Sequence, residues 1–167
     1  MSTVTSTVET VTVPVAELTP EAFAPYGSVI VPMEDGVPFG SADAQLDLSG
    51  GTPRFYAMRI PARGLTISRI TRHKAVTQAL ASVGGNSWYL GVAPPGAADV
   101  PAFEAIQVFR VPGTVAVALK KGTWHAGPLF EGEAQSFFNL ELADTNIVDH
   151  DTCDLAKHYG RILGPVG

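Results

Sequence analysis

Apolar and polar positions alternate in short runs along most of this chain. Ser28–Val31, Arg54–Ile60, Leu65–Arg72, Ser87–Val92, Ile106–Val111, Val115–Leu119 and Gln135–Leu142 are rich in Val, Ile, Phe and Tyr and bounded by Gly or Pro. A period of two marks a strand with one buried face. Gly50-Gly51, Gly84-Gly85, Pro94-Pro95-Gly96, Pro112-Gly113 and Gly122 supply turns between them. Only Ala75–Ser82 and Val100–Ala105 have a helical look, both brief. Before them, Thr19 is positioned to cap a single helical turn that starts at Pro20 and reaches Phe23. Many short strands with regular turns predict an all-β chain, a sandwich or a closed barrel. No strand–helix–strand alternation, phosphate-binding glycine loop or internal repeat is present. Residues 18–167 read as one domain, preceded by a Thr/Val-rich stretch, 1–17, that is either a loose tail or an added edge strand. The polar, glycine-containing stretch Val37–Gly50 is the best candidate for a mobile loop near a pocket mouth.

Composition narrows the function classes. A chain of 167 residues, 46% of them hydrophobic, buries a core without covalent staples. The net charge of −5 and the absence of a Lys/Arg cluster argue against nucleic acid and anionic membranes as partners. A single cysteine, Cys153, rules out an intrachain disulfide and suits a cytoplasmic location. The first residues have neither a basic start nor an apolar core, so no signal peptide is expected. No apolar run approaches the roughly 20 residues that span a bilayer.

Two of the four histidines sit in a chemical context. In cupin barrels one motif supplies two His separated by one residue and then a Glu, and a second motif supplies a His three residues after a turn Gly. Here His73 and Gln78 keep the first spacing with Thr71 in the leading His position, and Gly122-Thr123-Trp124-His125 keeps the second. Alternation places residues 71 and 73 on one face of a strand. Imidazoles suit zinc, nickel or iron, but a firm site needs three or four protein ligands. Two His and a neutral carboxamide (His73, Gln78 and His125) leave room for at most a weakly held divalent ion.

Further segments, "LTPEAFAPYGSVI", "LTISRITRHKAVTQALASVGG", "SWYLGVAPPG", "AFEAIQVFRVPGTVAVALKKGTWHAGPLF" and "DHDTCDL", occur in an order that resembles the ureidoglycolate lyase family. "RHKAVTQ" and "KKGTWHAGPLF" are its most specific parts. The resemblance implies a cupin-like double-stranded β-helix, or jelly-roll barrel, with a few short helices. It also implies a homodimer that releases glyoxylate and urea from (S)-ureidoglycolate in allantoin breakdown.

That substrate is a hemiaminal bearing a carboxylate. Its cleavage needs a base for the hydroxyl proton, an acid for the departing urea nitrogen, and a cation for the carboxylate. His73 and His125 can fill either proton role. For the carboxylate, strand parity favours Arg69 whereas the resemblance, through its "RH" pair, favours Arg72. Lys120 is a further cation beside the turn before His125. On "FFNLEL", alternation puts Asn139 and Glu141 on the Phe137 face, from which they can line a pocket. His150 and Asp151 read as a surface turn, Trp124 as packing and Cys153 as structural. In the family pattern a Glu and a Pro flank the Arg-His pair; Thr71 and Lys74 stand there instead. Two alternatives therefore stay open. One is a related enzyme acting on another small 2-hydroxy or 2-ureido carboxylate. The other is a noncatalytic cupin that binds such an acid.

Overall fold

A computed structural model describes residues 6–167. After β1 (Glu9–Val11) and β2 (Val15–Glu17), the single turn α1 (Pro20–Phe23) leads into β3 (Gly27–Ile30). The strands β4 (Pro53–Pro61), β5 (Arg69–Arg72), β6 (Gln78–Ser82) and β7 (Trp88–Ala93) follow. A 3-10 turn at Phe103–Ala105 precedes β8 (Gln107–Val111), β9 (Ala116–Leu119), β10 (Trp124–Leu129) and β11 (Ala134–Leu142). Then come α2 (Thr145–Val148), β12 (Asp151–Asp154), α3 (Leu155–Tyr159) and β13 (Arg161–Leu163).

Two sheets carry the fold. One runs β12-β5-β10-β7-β8-β2 and the other β3-β9-β6-β11-β4; β1 pairs with β13 alone. Neighbours are antiparallel except for β2 on β8 and β1 on β13. The sheets do not close into one hydrogen-bonded ring. Their facing sides interdigitate instead, as in a cupin-like sandwich. Trp88, Leu90 and Val92 of β7 and Phe109 and Val111 of β8 meet Leu80, Val117, Leu119 and Phe137 of the opposite sheet. Trp88 sits edge-on to Phe137 with ring centroids 5.3 Å apart. These residues are spaced two apart on each strand, which is the alternation that marked the strands in the sequence.

The six-stranded sheet also buries its outer face. Ile70, Val108, Trp124, Ala126 and Cys153 pack there with Phe103, Leu155, Leu163 and Val166. The buried Cys153 belongs to this second core. The five-stranded sheet leaves part of its outer face open, with Phe55 stacked on Phe138.

Some elements depart from the alternation reading. Gln78–Ser82, within the stretch expected to be helical, is β6, because pairing with β9 and β11 on both sides outweighs its local helix preference. The expected strand Leu65–Arg72 shortens to β5, and Ile67 makes one isolated bridge to Leu163. Val100–Ala105 contains only the 3-10 turn. β10, β12 and β13 carry no strong alternation of their own. β10 is interrupted between Ala126 and Leu129, where three steps oppose the two from Gly91 to Tyr89. Gly127 makes this bulge possible. Its φ is +121°, and a Cβ would lie 2.9 Å from the Tyr89 carbonyl oxygen. The capped turn behaves as expected: Thr19 Oγ1 accepts the Ala22 N–H at 3.1 Å.

Candidate functional site

The inner face of the sandwich changes character along its strands. On β11, Phe137 belongs to the core, while Asn139 and Glu141, two and four residues on, line a cavity of about 590 Å³. Gln78 and Leu80 of β6, Tyr56 and Met58 of β4, and Arg69 and Thr71 of β5 line it too. His73 follows β5 directly, and β10 brings His125 opposite Thr71. The backbone N–H of Gly122 donates to the His73 carbonyl at 2.7 Å, so the two histidine-bearing segments are tied at the turn between them.

The two imidazoles are neighbours, with ring centroids 5.1 Å apart. His73 is buried, and its Nδ1 lies 2.6 Å from the main-chain oxygen of Asp149. A carbonyl oxygen only accepts, so Nδ1 carries a proton and Nε2 holds the lone pair in the neutral ring. His125 is different. Burial, reinforced by the His73 ring, drives its pKa down to about 3; the Thr123 backbone opposes this more weakly, and His150 adds to it least. Its Nδ1 is buried and completes no hydrogen bond among the described residues. His125 is therefore a neutral imidazole throughout the physiological range. His150 completes the group, stacked on His73 at 5.5 Å with an interplanar angle of 24°.

A hydrogen-bonded floor lies beneath these rings. Glu141 is 1% exposed and has no cation within ion-pair distance among the described residues. Its Oε1 accepts from Tyr56 Oη at 3.3 Å and Asn146 Nδ2 at 3.1 Å, and its Oε2 from Gln78 Nε2 at 3.4 Å. Gln78 Nε2 also donates to Asn139 Oδ1 at 3.0 Å, while Asn139 Nδ2 donates to the Tyr56 oxygen at 3.2 Å. A buried carboxylate held only by neutral donors is costly.

The cavity rim is cationic. Arg59, Arg63 and Arg69 all line it, and none of them forms an ion pair among the described residues. Three unpaired guanidiniums around one opening, in a chain of net charge −5, make a local anion-attracting field.

The donor set fits a metal poorly. Among the described residues, no three His, Cys, Asp or Glu side chains are grouped to hold an ion. The third candidate ligand, Gln78, is neutral; its amide nitrogen is committed to Asn139 and Glu141, while its Oε1, the atom that would face an ion, is buried and makes no hydrogen bond among the described residues. The set His73, Gln78 and His125 thus lacks the charge and number of donors that firm divalent sites use.

Comparison with known proteins gives this cavity a context. The family model described as ureidoglycolate lyase matches residues 39–159. A ureidoglycolate lyase of Pseudomonas syringae is 32% identical over 164 residues, covering 85% of this chain and 86% of that protein. One from Pseudomonas entomophila is 30% identical and covers 89% of this chain and 91% of its own length. A third, from Azotobacter vinelandii, is 32% identical over 65% of this chain and 71% of its own. This chain belongs to the ureidoglycolate lyase family.

Within that family's pattern, the Arg-His pair divides between the two faces of β5. Arg69 shares the parity of Thr71 and His73 and reaches the cavity. Arg72 does not; it is 4% exposed on the opposite face. Its guanidinium lies 4.5 Å over the Trp124 ring, donates to the Gly96 and Ala98 carbonyls, and pairs with Asp151 at 3.1 Å. Its donors are committed to structure, which corrects the expectation that Arg72 could clamp a substrate. Lys120 is likewise corrected, since its Nζ donates to the Ala24 carbonyl at 2.6 Å, outside the cavity. The stretch Val37–Gly50 does not line the cavity either: Asp47 holds it to Thr77 and to Lys121.

The sequence reading did not single out Tyr56, Arg59, Arg63, Asn146 or the pocket position of His150. Tyr56 pairs directly with Asn139 across the β4–β11 ladder and shares its face, a register that alternation alone does not give. Arg59 has the opposite parity on β4 and reaches the rim from the sheet edge, where alternation gives no guidance.

Proposed function

We propose that this chain is a carbon–nitrogen lyase of the amidine-lyase type that splits (S)-ureidoglycolate into glyoxylate and urea. The observation that carries the reading is one cavity that joins a tautomer-fixed imidazole, His73, to a rim of unpaired guanidiniums, in a chain of this family. The substrate carboxylate is held at the rim by Arg69, assisted by Arg59 and Arg63, and a guanidinium can grip it through two parallel hydrogen bonds. The ureido N–H groups point inward to Glu141 and Asn139, which offer acceptor oxygens.

The reaction is then an internal proton transfer. His73 Nε2 takes the hydroxyl proton, the oxygen lone pair forms the aldehyde C=O, and the C–N bond breaks with its electron pair on nitrogen. The imidazolium of His73 returns the proton to that nitrogen as urea departs, so no proton is gained or lost overall. His125, held neutral, does not act as an imidazolium acid; its ring offers a hydrogen bond beside the reacting carbon. The Arg rim stabilises the carboxylate while charge shifts from oxygen to nitrogen. No step is routed through a metal, because the donor set above does not favour one. A weakly held ion at His73, Gln78 and His125 is the competing reading.

The test follows glyoxylate and urea release from ureidoglycolate, before and after chelation. Release above the spontaneous rate, retained by metal-free protein, supports the proposal. Absence of release contradicts it and favours a relative acting on a larger hydroxy or ureido acid, which the roomy cavity also accommodates. The family further leads us to propose a cytoplasmic homodimer, which light scattering tests for its oligomeric part.

A further inference from the structure

The segments 72–75 and 149–151 are matched almost residue for residue. The main-chain oxygen of Asp149 takes the His73 Nδ1 proton at 2.6 Å. Its carboxylate accepts two consecutive backbone N–H groups, Lys74 on Oδ1 and Ala75 on Oδ2, each at 2.8 Å. His150 stacks on the His73 ring, and Asp151 meets Arg72 Nε at 3.1 Å and Lys74 Nζ at 3.3 Å. Asp149 therefore grips three successive residues with three different oxygen atoms, one of them on the histidine itself. No helix begins at residues 73–75, so the carboxylate is not serving as an ordinary helix cap.

We propose that Asp149 is a positioning residue for proton transfer. Its carboxylate fixes the backbone of Lys74 and Ala75, which holds its own carbonyl in line with His73 Nδ1. That carbonyl selects the Nδ1–H tautomer and turns the basic Nε2 towards the cavity. The same segment carries Asn146 and His150 into the cavity lining, so ring orientation and rim position are set together. Aspartate is suited to this, because its short side chain lets both carboxylate oxygens reach adjacent amides while its own carbonyl stays in line with the ring nitrogen. The inference rests on His73 being the proton carrier, but its central observable does not need turnover.

The experiment combines ring 15N spectroscopy of His73 with steady-state kinetics, using the full chain and Asp149→Ala. The His73 signals are assigned by their loss in His73→Gln. The expected wild-type spectrum shows the Nδ1–H form when neutral. In Asp149→Ala the ring becomes a mixture of tautomers, kcat falls on the order of tenfold to a hundredfold, the range seen when metal-bound histidines lose the partner of their other ring nitrogen, and KM changes little. Asp149→Asn, which keeps one acceptor oxygen, falls between the two. A wild-type ring in the Nε2–H form overturns the proposal. So does an Asp149→Ala protein that loses kcat with its tautomer unchanged, since that is a purely structural effect. Should Asp149→Ala fail to fold, the wild-type spectrum still tests the tautomer, and Asp149→Asn tests whether tautomer and kcat change together. An Nδ1–H ring in a protein that releases no glyoxylate leaves this placement standing and removes the proposed reaction instead.

Discussion

The two ends of the inner sandwich face share strands but not chemistry. On β11, Phe137 is wholly buried against Trp88 and Phe130, while Asn139 and Glu141, on the same side of the same strand, are equally buried in a hydrogen-bonded network. One end is held by apolar contact, which is indifferent to pH and tolerant of small shifts. The other holds a cation-free carboxylate and a neutral imidazole, which gain little stability from burial. The difference teaches where the fold is built and where it is used. The apolar end sets the spacing of the sheets, and the polar end inherits that spacing as the geometry of a site.

Substitutions at the two ends should separate these roles. The largest effect is expected for His73→Ala, which removes the proton carrier and should lower kcat on the order of 10²–10⁴-fold with a near-normal melting temperature. Phe137→Ala should do the reverse, costing about 3–5 kcal/mol of stability in denaturant titration, with any folded protein keeping its KM. The two arginines of β5 sharpen the contrast. Arg69→Met should raise KM about tenfold, near 1.4 kcal/mol of lost substrate binding, without altering stability. Arg72→Met should lose about 1–3 kcal/mol of stability, the cost of orphaning buried hydrogen-bond partners, and leave KM unchanged.

A smaller effect distinguishes the polar end by pH. His125 binds a proton in the unfolded chain from about pH 6.5 downward, but in the folded chain only near 3. Its contribution to stability is therefore complete above about 6.5 and declines as pH falls towards 3. The residue is half-buried rather than sealed, so solvent screening reduces the loss. Asp151, held below its usual value by Arg72, begins to lose its own contribution only at more acid pH. Urea titrations should show a stability slope between about pH 6.5 and 4.5 that disappears in His125→Gln. The smallest expected effect is that of chelation, which should leave activity unchanged.

Much of this arrangement was legible in the order of residues. Period-two alternation marked the core strands, because a half-buried strand must segregate its faces. The same rule put Arg69, Thr71 and His73 together, and Asn139 beside Glu141. It was a better guide than the adjacency of Arg72 to His73, since neighbours on a strand point to opposite sides. Strands without alternation were harder to read. β6 sits between two partners, and its "QALAS" satisfies a helix as readily as a sheet. β10 changes face at the Gly127 bulge, which breaks the period within the strand. Positions set by long-range pairing were not legible at all. Asp149 reaches His73 across 76 residues of chain, and Arg59 and Arg63 reach the rim from a sheet edge and the segment beyond it.

The most direct test is a glyoxylate-release assay on (S)-ureidoglycolate with wild-type protein and His73→Gln, both stripped of metal and corrected for spontaneous breakdown. The account predicts turnover by wild type and a loss of at least about a hundredfold in the variant, with both proteins equally folded. Wild-type release no faster than the spontaneous reaction, or a His73→Gln protein as active as wild type, would contradict it.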